Sequence, residues 1–168
     1  MNDADIATES VFTCVRCGDC CRGGGGIVLR EREAARVAAF LDMAVADFCA
    51  RFTETARGKM RLRAGSDGRC VFAGEKGGCE VHAVKPDVCR AWPFFRGNLV
   101  DPVSLGMASQ GCPGIAKNTG FAEFTRAGAR YLLARELFAL ETEAPCPSAL
   151  MKESALRRMV RCDARETQ

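Results

Sequence analysis

The sequence predicts an α+β fold. It has a small, loop-rich cysteine module of short strands and short helices that depends on metal, followed by a C-terminal helical hairpin. Three observations carry this. Nine of the 11 cysteines fall between Cys14 and Cys112, amid glycine turns and short apolar runs, and eight remain once Cys49, set apart inside that span, is left out. After Gly120 the apolar residues recur at helical spacing. The 168 residues, 48% hydrophobic and 27% charged, suit one domain with a helical appendage. We therefore divide the chain into a loose leader (1–11), a cysteine-cluster metal-binding module (12–115) and helices packed on that module (116–168).

Taken in order, Ile27-Val28-Leu29 is a short strand candidate that leads into a helix with Ala34, Val37, Ala38 and Leu41 on one face. A second short helix over 47–52 is expected to bury Phe48 and Phe52. Residues 59–63 and 70–72 are strand candidates flanking the turn Ala64-Gly65-Ser66-Asp67-Gly68. Lys85-Pro86-Asp87 has the form of a helix start, with proline at the first helical position, and Pro93 stops that helix. Beyond Gly120, Phe121, Phe124, Gly128, Leu132 and Phe138 form a stripe that Leu133, Leu137 and Leu140 widen. Pro145 and Pro147 bracket a break, and Ser148 is the expected N-cap of a last helix reaching about Cys162.

No stretch approaches the roughly 20 apolar residues of a membrane span. Met1-Asn2-Asp3-Ala4-Asp5 is acidic and lacks the pattern of a secretory signal, so a cytoplasmic location is expected. In a reducing compartment, clustered thiols point to metal or redox chemistry rather than to a disulfide framework. Eleven cysteines are about 6.5% of the chain, below the roughly 8–10% of short secreted disulfide scaffolds, and an odd number pairs incompletely.

The chemistry lies in two runs. The first is Cys14-Val15-Arg16-Cys17-Gly18-Asp19-Cys20-Cys21. Cysteines two residues apart in a turn can aim their thiolates at one centre, and a metal takes the thiolate outright. Adjacent Cys20 and Cys21 cannot easily share one tetrahedral ion, so they are expected to feed two neighbouring centres. The second run brings Cys70, Cys79, His82 and Cys89, and Cys112-Pro113 closes the set. Eight thiols make two four-ligand sites, or one site with spare thiols. Cys14, Cys17, Cys20 and Cys112-Pro113 follow the layout of an iron–sulfur ligand run with a distant Cys-Pro, which leaves Cys21, Cys70, Cys79 and Cys89 as the second set. The Cys79-x2-His82 spacing keeps zinc with a histidine ligand open. Spacing alone leaves an iron–sulfur cluster and zinc both open.

Arg22 and Arg90 directly follow proposed ligands and are candidate donors to cluster sulfur. Trp92, Phe94 and Phe95 are expected to shield the site from water. Cys49 reads as a small hydrophobe, Cys146 and Cys162 as unliganded, and Asp19 as a turn residue. A thioredoxin-type reading of Cys14-x2-Cys17 lacks its parallel sheet. Metal ions are the expected partners, with any redox or protein partner unspecified. Nucleic acid is not expected. Two centres of about −2 each would turn the formal +3 into about −1, and no aromatic–basic interleaving is present. No Ser/His/Asp set can be argued from the single histidine, and Gly23–Gly26 lacks the Lys-Ser/Thr of a phosphate loop.

The motifs Phe12-Thr13-Cys14-x2-Cys17-Gly18-x-Cys20-Cys21-Arg22-Gly23, Gly78-Cys79-x2-His82 and Lys85-Pro86-x2-Cys89-Arg90-x-Trp92-Pro93-Phe94 resemble the YkgJ family of cysteine-cluster proteins. The resemblance covers roughly 12–115 and implies zinc or iron chelation, with no assigned reaction. A similar cluster in flagellin lysine methylases is associated with an iron–sulfur centre, so the resemblance makes an iron–sulfur cluster the preferred guest and zinc the alternative. The tail after residue 120 does not carry the match.

Overall fold

A computed structural model describes residues 10–22, 26–75, 77–142 and 149–163, the side chains of the last two excepted. Most of the 1–11 leader, Gly23–Gly25, the 145–148 break with Cys146, and the side chain of Cys162 lie outside the described residues. The architecture is mixed α and β with short elements, and the chain forms two compact units. One is Arg16–Arg90. The other joins the described residues up to Val15 with those from Ala91 onward.

In Arg16–Arg90, helix α1 (Glu31–Phe40) buries Ala34, Val37 and Ala38, the face set by its apolar spacing. Helix α2 (Val45–Phe52) buries Phe48. The antiparallel pair β1 (Thr53–Ala56) and β2 (Lys59–Leu62) follows, with Thr53 opposite Leu62 and Ala56 opposite Lys59. Arg57 and Gly58 both have positive φ, 52° and 70°, as a tight two-residue hairpin turn demands. The 27–29 segment lies along β2 through Leu29 N–H to Met60 O (3.0 Å) and Leu62 N–H to Ile27 O (2.9 Å). Residues 70–72 are no strand. Cys70 makes a single bridge to Ala64 and then turns. Phe48, Phe52 and Phe72 form an aromatic trio, with centroids 4.9–6.3 Å apart, inside a core completed by Leu29, Val37, Leu62 and Val81.

Helix α3 (Asp87–Ala91) starts just after Pro86. A buried polar lock ties it to α1. Glu33 accepts from Asp87 N–H at 2.6 Å and from Arg30 N–H at 2.9 Å. The Asp87 carboxylate, only 4% exposed, pairs with Arg30 (3.2 Å), Arg32 (3.1 Å) and Arg36 (3.1 Å).

In the other unit, α4 (Arg96–Val100), α5 (Pro102–Gly111), α6 (Phe121–Ala134) and α7 (Glu153–Asp163) surround Phe94, Leu99, Phe124 and Leu132. Helices α6 and α7 pack together, as the expected hairpin does. The stripe expected to continue through Leu137, Phe138 and Leu140 breaks at Ala134. Glu136 takes φ 54°, Leu137 is buried in the connection, and Leu140 is 53% exposed. Helices α4 and α5 were not anticipated, because α5 lacks an apolar stripe. Its start is nonetheless marked by Asp101, whose carboxylate accepts from Val103 and Ser104 N–H, with Pro102 as the first helical residue.

Two expected outcomes follow from this packing. Glu33→Ala strips two backbone N–H groups of their acceptor and should cost about 1–3 kcal/mol in urea unfolding. Burial raises the Glu33 carboxyl above its ordinary value of 4.5. A carboxyl raised on folding contributes stability below its unfolded value and loses it as pH rises through the folded one, so that slope should vanish in Glu33→Ala. Secondly, a Cβ at Gly128 would strike the Phe94 ring and approach Leu99 to 2.9 Å. Gly128→Ala should therefore lower the unfolding midpoint, at a cost of roughly 1–3 kcal/mol.

Candidate metal centre

Glycine geometry assembles the thiols of Arg16–Arg90. Gly18 (φ 83°) turns the chain so that Cys21 N–H reaches Gly18 O at 2.9 Å, winding Asp19–Cys21 into a single 3-10 turn. A Cβ on Gly18 would lie 3.2 Å from Gly78 N, so the two glycine loops run in contact. Gly77 and Gly78, at φ 90° and 81°, then deliver Cys79. Cys70 N–H donates to Cys21 O at 2.8 Å, which seats the second run against the first.

Cys70 and Cys79 occupy matching turns. Ala73 N–H closes on Cys70 O (2.8 Å) and His82 N–H on Cys79 O (3.2 Å). In each turn the residue two further on, Phe72 or Val81, is buried in the core while its N–H donates to the cysteine sulfur. Core packing thus fixes the position of each sulfur. The turns are joined by the Ala73–Cys79 bridge and by Glu80 N–H to Phe72 O (3.0 Å). Cys89 rides α3, whose first residue is held by the Glu33–Asp87 lock.

The electrostatics are those of crowded sulfurs. Cys20 accepts a hydrogen bond from the Cys21 thiol, which with help from Lys85 brings the Cys20 thiol down to about 6 against the opposing effect of burial. The same bond, burial and the charges of Cys20, Cys70 and Cys79 push Cys21 upward. Burial raises Cys89 first, and Cys70, Cys20 and Cys79 raise it further. Burial likewise raises Cys70 and Cys79, with neighbouring thiolates adding to it. Five thiols, Cys20, Cys21, Cys70, Cys79 and Cys89, therefore feel one another directly. Among the described residues no three or more His, Cys, Asp or Glu side chains already stand as an ion would need them. Gathering thiolates more tightly costs repulsion that only a cation offsets.

His82 Nε2 is buried without a hydrogen-bond partner. Burial lowers its pKa, and Lys85 and Arg16 lower it further, so the ring is held neutral as a ligand requires. Cys17 is half-buried in the same unit. Cys14 and Cys112 belong to the other unit, where Thr13 N–H bonds Gly114 O at 2.9 Å and Phe12 bridges Ile115. Cys14 is exposed, whereas Cys112 is buried and accepts from the Trp92 indole N–H at 3.5 Å. Arg22 stands 3.6 Å from Asp19 and Arg90 3.8 Å from Asp87, each facing a carboxylate. Cys49 packs on the core with Met60 Sδ 3.9 Å away. All nine described cysteines are unbridged. Sequence reasoning missed Lys85, the cation that acts on Cys20, Cys79 and Cys89, and the Asp87 lock. Its signal was present in the Lys85-Pro86-Asp87 helix start and the arginine-rich face of α1.

The donor set is soft sulfur with one unpartnered imidazole nitrogen, which fits a thiophilic metal such as zinc or iron. No solved structure matches this chain. The family model CxxCxxCC, described as a "putative zinc- or iron-chelating domain", matches residues 13–118. With most of its length so matched, the chain belongs to this cysteine-cluster family.

Proposed function

We propose that this protein carries an iron–sulfur cluster and serves in electron transfer or as an accessory to a redox enzyme. The observation that carries the reading is the mutual action of Cys20, Cys21, Cys70, Cys79 and Cys89. With Cys17, six thiols besides Cys49 stand within Arg16–Arg90, more than a single four-coordinate zinc can use. Iron–sulfur clusters are held by cysteine almost alone and carry net negative charge, which Lys85 beside the thiols offsets. Cys21, Cys70, Cys79 and Cys89 are the ligands of this centre, and Cys14, Cys17, Cys20 and Cys112 are ligands on their spacing. Residues 12–115 act as the metal-binding module and 116–168 as its helical support. Arg22 and Arg90 supply positive charge at its margin. Such thiols suit a reducing compartment, the cytoplasm, and neither nucleic acid nor membrane is needed as a partner.

The second reading is a structural-zinc interaction module or a zinc-handling protein, favoured by the unpartnered His82 Nε2. Anaerobic purification separates the two. The first reading expects a brown protein with visible charge-transfer absorption and matching iron and sulfide. A colourless protein with stoichiometric zinc overturns it. Cys79→Ser should lower the bound metal, while Cys49→Ser should leave it unchanged.

The raised thiols give a pH dependence of known sign. Cys21, Cys70, Cys79 and Cys89 stay protonated at neutral pH until a cation takes their sulfur. Zinc binding to the metal-free protein should release about three to four protons and tighten as pH rises. Calorimetry in buffers of different ionisation enthalpy reads that number, and zinc uptake without proton release contradicts the assignment.

A further inference from the structure

Trp92 is the only tryptophan of the chain, and its indole N–H donates to Cys112 Sγ at 3.5 Å. The ring is held edge-on against Phe95, centroids 5.1 Å apart, and Cys112 itself is 8% exposed. A closely packed backbone lies beside Cys112. Ile115 N–H closes on Cys112 O at 3.2 Å, and a Cβ on Gly114 would collide with the Thr13 carbonyl and the Phe12 ring. Glycine at 114 therefore lets the 12–13 segment lie against 114–115, and Cys112 is fixed at that junction.

We propose that Trp92 is a positioning residue for metal-bound Cys112, its indole N–H stabilising the Cys112 thiolate and thereby raising the reduction potential of the centre. The inference rests on the reading of Cys112 as a ligand. A neutral thiol is a weak hydrogen-bond acceptor, whereas a thiolate sulfur on a cluster carries charge that grows when the cluster gains an electron. A fixed N–H donor therefore favours the reduced state over the oxidised one. An indole supplies one donor and no acceptor, so it stabilises charge at sulfur without competing for the metal. Simple shielding, by contrast, would depend on the ring and be indifferent to its N–H.

The test uses the full chain, loaded anaerobically with iron and sulfide, and two replacements at residue 92. Trp92→Phe removes the indole. Substitution by benzothienylalanine keeps the ring shape and removes only the N–H, which guards against a change of packing or folding. The expected result is unchanged iron and sulfide content with a midpoint potential shifted to more negative values in both variants. In a Cys112→Ser background, replacing Trp92 should cause no further shift. Unchanged potential in the benzothienylalanine protein overturns the proposal and leaves the iron–sulfur reading standing. A preparation that takes zinc and no cluster overturns the iron–sulfur reading. The Trp92 assignment is then read in the cobalt-substituted protein, where loss of the N–H should move the thiolate-to-cobalt charge-transfer band. An unmoved band overturns it.

Discussion

The cost of placing negative charge on crowded, buried thiols is the constraint around which the cysteine turns of Arg16–Arg90 are arranged. The hydrogen bond to Cys20 raises Cys21 first, and burial, with neighbouring thiolates adding to it, raises Cys70, Cys79 and Cys89, although two of them already accept backbone N–H groups. A protein with no use for thiolate at this place would disperse these residues or bridge them. Here they are instead presented by turns whose positions are set elsewhere, by Phe72 and Val81 in the core and by contacts that only glycine permits at Gly18. A bound cation displaces their protons and offsets the repulsion among the thiolates it gathers. In small metal domains the apparent gain on binding is about 10–16 kcal/mol, comparable with a whole domain's margin.

The polar lock at Asp87 answers a different problem. Helix α3 is too short to be stable by itself, yet it must hold the half-buried Cys89 in place. Glu33 on α1 takes the Asp87 N–H, and three arginines reach the Asp87 carboxylate within 3.2 Å. Buried ion pairs contribute little net stability, but breaking one partner out of such a set is costly, so the network specifies geometry more than it adds free energy. The position of a soft sulfur thus depends on a hard electrostatic cluster on a neighbouring helix.

Much of this was legible in the sequence wherever the local chemistry was strong. The apolar face of α1, the burial of Phe48, the helix start at Pro86 and the helical pattern after Gly120 all follow from spacing and capping rules. The β1 strand was missed because Thr53-Glu54-Thr55-Ala56 has little apolar content, although Arg57-Gly58 marks its turn. Helix α5 was missed because its apolar residues form no single face, leaving Val103 and Met107 exposed. At the centre, cysteine spacing nominated the thiols. It did not show that Phe72 and Val81 would each serve both as core residue and as hydrogen-bond donor to sulfur. That double use depends on tertiary packing, which a one-dimensional pattern does not record.

The central claim is that sulfur, supplied by Cys21, Cys70, Cys79 and Cys89, surrounds a metal. X-ray absorption at the metal edge of the purified protein measures this directly, because it counts the atoms bound to the metal and separates sulfur from lighter donors by distance. The account predicts a first shell dominated by sulfur, with at most one nitrogen contributed by His82. A shell of oxygen and nitrogen alone would contradict it.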